Sequence, residues 1–276
     1  MSKKIDALVF LSDIHAGSKY SPCPVNFEGV NGIIQPNALQ LWYNLCLTNA
    51  LSWTCNVLAG RRWGLVLNGD LIEGIHHGTA EVVSADVADH KGIAEELLVP
   101  WAKSAARTWV VEGTECHTRG HESSVAKALK AEPYRNPSCG TRQGAWPELA
   151  IEVNGCYGIV RHHITTSIRP WTEATGLCTQ INSERIEHVR SDHRVPRWAV
   201  YSHRHKEGMF SDGHAAVYVL PPWQALPRHG RKVVGHSRFP RPGVLILDFA
   251  DVESDGMPVA RRRMYDYANA KDMIHA

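Results

Sequence analysis

Leu8-Val9-Phe10-Leu11-Ser12-Asp13-Ile14-His15 is a run of strand-forming apolar residues that ends on two side chains able to bind a metal ion. A buried strand points residues i and i+2 the same way. The run therefore predicts that Asp13 and His15 leave one strand end together, offering a carboxylate oxygen and an imidazole nitrogen. Half a coordination shell of this kind needs partners elsewhere in the chain.

The pattern around this strand repeats. Ile5 to Ser12 reads as the first strand, and 16–37, rich in Gly and Pro, as a long loop. From Ala38 the apolar residues Trp42, Cys46, Ala50, Trp53 and Val57 recur every three or four positions, which predicts a helix stopped by Gly60. Trp63 to Asn68 is a second strand, delivered into Gly69-Asp70; a second helix follows over about 84–107, kinked at Pro100, and Thr108 to Glu112 is a third strand ending at Gly113. Strand, helix, strand, helix, strand calls for a parallel sheet with right-handed crossovers, and such sheets bind ligands at the carboxyl ends of their strands. Asp13 and His15, Asp70, and Glu115 and His117 all fall at that edge.

Further along, Leu149–Val153 and Cys156–Arg161 read as a hairpin around Asn154-Gly155, with His162-His163 just beyond it. A charged helix is expected within 171–190, a strand at Trp198–Tyr201 running into Ser202-His203-Arg204-His205, and more strands near 217–220, 244–249 and 259–265. With no internal repeat or low-complexity linker, the expectation is one domain over 1–276, less regular past about 206.

Composition removes several classes. Hydrophobic residues at 43% and charged residues at 21% exclude a disordered chain, and no apolar run approaches membrane-spanning length. Met1 to Asp6 runs straight into strand pattern without a secretory signal, so a cytoplasmic protein with no membrane partner is expected. The seven cysteines are scattered and never in Cys-x-x-Cys spacing, which suggests neither a disulfide framework nor a zinc ribbon. A formal charge of +2 does not announce a nucleic-acid partner. The sixteen histidines are unusual, and His76-His77, His162-His163 and His203-x-His205 come in pairs, where a metal site would find its nitrogen ligands.

Taken in order, Asp13-x-His15, Gly69-Asp70-Leu71-Ile72-Glu73, Gly113-Thr114-Glu115-Cys116-His117, His162-His163 and His203-Arg204-His205 resemble the calcineurin-like metallophosphoesterase superfamily, with its D-x-H, G-D-x-x-[DE], G-N-[HE], lone His and G-H-x-H motifs. The resemblance spans Asp13 to His205 and implies a four-layer α/β sandwich of two mixed sheets flanked by helices. It implies two divalent metal ions, the first held by Asp13, His15, Asp70 and His205, the second by Asp70 as the bridging carboxylate, His203, and His162 or His163. Mixed imidazole and carboxylate donors favour Mn²⁺, with Fe, Zn²⁺ or Ni²⁺ also matching.

The third motif departs from the family. Asn is absent, and the expectation is that Glu115 replaces it as a metal ligand while His117 acts as general acid toward the leaving group, with Thr114 the alternative ligand. Ser202 stands where the family has Gly. Glu73 reads as a support or loop anchor, His76 and His77 as exposed loop histidines with lining of the substrate side the alternative, and Cys116 as turn filler. Residues 227–242 carry Arg228, Arg231, Lys232, Arg238 and Arg241 with no acid, enough to track a nucleic-acid backbone or to form a solvated basic loop. The expected function is therefore metal-dependent hydrolysis of a phosphodiester of a nucleic acid or nucleotide, as in a nuclease. A phosphomonoesterase, or a binding module that keeps the fold without the chemistry, is the alternative.

Overall fold

The computed structural model describes residues 4–76, 80–118, 120–164, 172–227, 240–250, 252 and 256–266. The first half of the chain runs β1 (Ala7–Leu11), β2 (Phe27–Gly29), β3 (Gly32–Ile34), α1 (Ala38–Val57), β4 (Trp63–Asn68), α2 (Val87–Ser104) and β5 (Arg107–Val111). Two short helices, α3 (Glu115–Thr118) and α4 (Glu122–Ala128), and a small ladder of β6 (Tyr134–Arg135) and β7 (Arg142–Gln143) follow. The rest is β8 (Leu149–Val153), β9 (Cys156–Val160), α5 (Glu173–Arg190), β10 (Trp198–Tyr201), β11 (Gly208–Ser211), β12 (Ala216–Val219), β13 (Gly243–Asp248) and β14 (Val259–Met264).

Two five-stranded sheets stack face to face. The first has the order β14-β13-β1-β4-β5, with β1, β4 and β5 parallel and β13 antiparallel to β1; the second is β11-β12-β10-β9-β8, with β9, β10 and β12 parallel. Both sheets are thus mixed. The C-terminal strand β13 slots in beside β1, so the segment beyond the family-like motifs completes the first sheet.

Helix α1 starts where it does because Asn37 and Gln40 form a capping box, each side chain accepting from the other's backbone N–H at 3.0 Å. Its buried face (Trp42, Tyr43, Cys46, Leu47, Ala50) packs with Ile93, Leu98 and Trp101 of α2 and Val125 of α4 over the outer face of the first sheet. The inter-sheet layer holds Phe10, Trp109, Trp198, Val200, Leu247 and Phe249. Here Trp198 pairs in register with Gly158, whose missing side chain leaves the space that the indole fills. Leu177 and Ile181 of α5 close the far face against Ala199, Tyr201 and Val217. The result is helix, sheet, sheet, helix: the four-layer α/β sandwich. None of the described helices is long and apolar enough to cross a membrane.

Candidate metal centre

The carboxyl ends of β1, β4 and β5 and those of β9 and β10 open toward one another. Backbone N–H groups of Asp13, His15 and Ala16 donate to the carbonyls of Gly69, Asp70 and Leu71, laying the first loop along the second. From the other sheet, the Ser202 N–H donates to the His162 carbonyl and the Arg161 N–H to that of Val200. Five loops thereby meet in one cleft.

The sequence leads one to expect Asp13 and His15 on extended backbone, and His203 and His205 likewise. Instead β1 ends at Leu11, and Asp13, His15, Asp70, His203 and His205 all have positive φ, between 46° and 70°. Among the described non-glycine residues, only Asn26, Lys130, Asn154 and Asp192 share this conformation. A left-handed residue with a side chain costs about 1–2 kcal/mol, and persists only where the surroundings over-determine it. Such strain concentrates at functional sites, and here it turns five side chains into one space.

Among the described residues three groups of donors result, one of them His15, Glu73 and His117. Asp13, His15 and His205 form the first, with His15 Nε2 3.1 Å from His205 Nε2, and His205 Nε2 3.4 Å from Asp13 Oδ1. Asp70, His162 and His203 form the second, with His162 Nε2 3.0 Å and His203 Nδ1 3.9 Å from Asp70 Oδ2. The same Asp70 oxygen is 3.8 Å from His15 Nε2, so it faces both groups. Both oxygens of Asp13, a fully buried residue, accept no hydrogen bond. Leaving a carboxylate so is costly, and a cation between its oxygen and the imidazoles would relieve it. The donor set fits a divalent metal.

Electrostatics point the same way. Burial would raise the Asp70 carboxyl, but the charge and hydrogen bond of His162, with His203 and His15, hold it well below the usual range. Burial opposes charging His162, yet Asp70 and Asp13 push it up to about 10. Asp13 and His15 behave alike, each held toward its charged form against burial, by His205 and by Glu73 respectively. The carboxylates thus draw positive charge onto the imidazoles, where a cation would serve.

Supporting contacts orient the donors. His15 Nδ1 is 2.9 Å from Glu73 Oε2, which turns Nε2 toward Asp13 and His205. His162 Nδ1 donates to the Asn68 carbonyl at 2.7 Å, and the Ser202 hydroxyl lies 2.9 Å from both groups. Gln224 and His76 hold Glu73 in turn, at 2.8 and 3.0 Å. Beneath the site, the buried Glu122 accepts from the backbone N–H of Leu71 (3.2 Å) and of Gly113 (2.6 Å). Gly113 passes so close that a Cβ there would collide with the Asp70 backbone nitrogen and Oδ1.

The third motif differs from the sequence reading. Glu115 opens α3 and its side chain is exposed, outside every donor group among the described residues. Thr114, just ahead of the helix, takes the place expected of Glu115: its hydroxyl is 3.0 Å from Asp70 Oδ2, 3.0 Å from His203 Nδ1 and 3.4 Å from His162 Nε2. His162 is buried against Asp70, whereas the exposed His163 lies edge-on to His203, ring centres 4.4 Å apart. His117 donates from Nδ1 to the Glu73 carbonyl at 2.8 Å and stands edge-on to His15 and His76. Burial and the neighbouring His15 bring its imidazole down to about 4. His77 and residues 228–239 lie outside the described residues.

No protein-family model matches the sequence, and no curated protein sequence matches it. Solved structures of similar shape include Vacuolar Protein Sorting 29 from Cryptosporidium parvum (11% identity, TM-score 0.44, covering 96% of this chain and 100% of that one). Wild-type Vps29 of Entamoeba histolytica complexed with zinc is similar at 13% identity and a TM-score of 0.43, covering 94% and 99%. A putative 5′-nucleotidase from Staphylococcus aureus is similar at 11% identity and 0.39, with 92% of this chain matched to 52% of that one. The four-layer sandwich, with Asp70 between two donor groups at the strand ends, decides the architecture. The chain folds as a four-layer α/β sandwich with a cluster of metal-capable side chains at its strand ends. The D-x-H, G-D and H-x-H residues of this chain occupy a single cleft.

Proposed function

We propose that the protein is a metal-dependent phosphoesterase acting on a phosphodiester of a nucleic acid or nucleotide. The observation that carries this reading is Asp70, whose Oδ2 faces His15 on one side and His162 and His203 on the other. In this reading Asp13, His15, Asp70 and His205 hold one cation, and Asp70, His162, His203 and Thr114 the other, with Mn²⁺ the best match to these donors and Fe, Zn²⁺ or Ni²⁺ alternatives. Bound cations supply Lewis acidity, lowering the pKa of a water and drawing charge from phosphoryl oxygens.

The chain's own residues do the rest. Glu73 and the Asn68 carbonyl fix the rings of His15 and His162, so the donors need no reorganisation when substrate arrives. His117 commits Nδ1 to the Glu73 carbonyl, which leaves Nε2 to serve the substrate. Its ring rests neutral, and the negative charge of a bound phosphoester raises its pKa, so that it takes up a proton and passes it to the departing alkoxide. The diester preference draws on the arginines of 228–241.

Hydrolysis of a chromogenic phosphodiester and of its monoester counterpart, with Mn²⁺ and with chelator, tests this on wild type beside Asp70→Asn. Metal-dependent turnover abolished in the variant, faster on the diester, is the expected result. Turnover of the monoester alone would make the protein a phosphatase. No turnover with Mn²⁺, Fe²⁺, Zn²⁺ or Ni²⁺ would leave a binding module.

A further inference from the structure

Positive charge gathers at the free edge of the first sheet. Strand β14 reads Val259-Ala260-Arg261-Arg262-Arg263-Met264 and, among the described residues, pairs only with β13. Ala260 packs toward the inter-sheet core, so by strand alternation Arg261 and Arg263 turn to the face that carries α1, and Arg262 to the opposite face. Asp248 is shared between Arg261, at 3.5 Å, and Arg61, at 2.6 Å, so one carboxylate meets two guanidiniums. No carboxylate among the described residues pairs with Arg262 or Arg263.

Charge on an edge strand can serve simply to discourage strand addition. That role does not require the aromatic shelf found here. Arg263 lies over the ring of Tyr265, at 5.5 Å, and within 6.0 Å of Trp53, and both rings are partly exposed. Beneath the shelf, Tyr265 contacts the buried Trp223, ring centres 6.3 Å apart, and the Trp223 backbone N–H donates to the Asp13 carbonyl at 3.0 Å. The register agrees, because Arg263 is level with Val244, at the end of β13 that borders the site end of β1.

We propose that this arginine strand and its aromatic shelf form the track on which a single-stranded nucleic acid lies as one of its phosphates enters the metal centre. This rests on the phosphodiesterase reading above and names the substrate class more closely. Guanidiniums two residues apart along an extended strand suit a phosphodiester backbone, since each offers a planar fork of donors to phosphate oxygens. Partly exposed aromatic rings beside them suit unpaired bases, which stack without regard to sequence. A duplex keeps its bases stacked inside and has no use for the shelf.

The test is the initial fluorescence anisotropy of a labelled short oligothymidylate mixed with the metal-loaded protein, read over a range of salt. The comparisons are a strand with an uncharged methylphosphonate backbone, a duplex, and the variant R261Q/R263Q, which removes the two guanidiniums that share the α1 face and leaves the Arg61–Asp248 pair in place. The expected result is salt-dependent binding of the single strand, at least ten times tighter than the methylphosphonate or the duplex. The slope of log affinity against log salt falls by about 1.4 in the double variant, two phosphate contacts at about 0.7 each. If the double variant does not fold, Arg263→Gln alone should lower the slope by about 0.7. Equal affinity and slope in wild type and variant, tighter binding of duplex, or no binding by wild type at low salt overturns the proposal. Hydrolysis of the chromogenic diester by wild type is a separate readout, so failure of the track and failure of the phosphodiesterase reading are told apart.

Discussion

His15 and Glu73 are joined by a 2.9 Å contact between Nδ1 of the imidazole and Oε2 of the carboxylate, both side chains almost wholly buried. The carboxylate thereby faces Nδ1, and Nε2 faces Asp13 and His205. Removing such a support costs a metal site about 10–100-fold in affinity. Glu73→Ala is expected to weaken Mn²⁺ binding by that order in isothermal titration, with Glu73→Gln recovering most of it through its amide oxygen. Equal affinity in the alanine variant would show that His15 needs no such orientation.

Thr114 and Glu115 make opposite predictions. Because the Thr114 hydroxyl sits among Asp70, His162 and His203 while Glu115 is exposed, Thr114→Val should lose about a factor of 10 or more in turnover, and Glu115→Gln should stay within about twofold. A large loss in the Glu115 variant with none at Thr114 would restore Glu115 as a ligand.

Glu122 gives a pH signature in metal-free protein. Burial, with the charge of Asp70 adding to it, pushes its carboxyl up to about 8, against 4.5 for the free group. Between those values the folded state binds a proton that the unfolded chain has released. Its contribution to stability is therefore fully present below about 4.5 and is lost as pH rises to about 8, by a few kcal/mol at about 1.4 kcal/mol per unit. Urea unfolding at pH 5 and pH 8 should show wild type losing more stability than Glu122→Gln over this interval. Parallel losses in the two proteins would contradict the assignment.

Gly113→Ala tests the packing of the second loop on the third. A Cβ at this position meets the Asp70 backbone, which cannot swing aside as a flexible side chain would. A loss of about 1–3 kcal/mol in thermal or urea unfolding, together with weaker Mn²⁺ binding, is expected. Wild-type stability and metal affinity would show that the loops separate easily.

Much of this site was legible because apolar runs stop abruptly at polar residues. Phe10-Leu11 before Asp13, Val66-Leu67 before Asp70 and Val200-Tyr201 before His203 mark strand ends in the sequence as they do in the fold. The alternation rule brought Asp13 and His15 together as the fold does, but on an extended backbone, whereas these residues are left-handed. Choosing between Thr114 and Glu115 depends on where a four-residue helix begins, and His162 differs from His163 by which one reaches the Asn68 carbonyl; neither leaves a periodic trace. Glu122 acts on Leu71 across 51 positions of sequence, and nothing near it signals that role. The small β2–β3 ladder inside the expected long loop was hidden likewise, as an exposed pair of strands with little apolar alternation.

The central claim is that Asp70 bridges two cations. A crystal grown with Mn²⁺ and measured at the manganese absorption edge tests it most directly. Two anomalous peaks about 3.5–4 Å apart, one beside Asp13, His15 and His205 and the other beside His162, His203 and Thr114, with Asp70 touching both, is the predicted result. A single peak, or two that do not share Asp70, would contradict it.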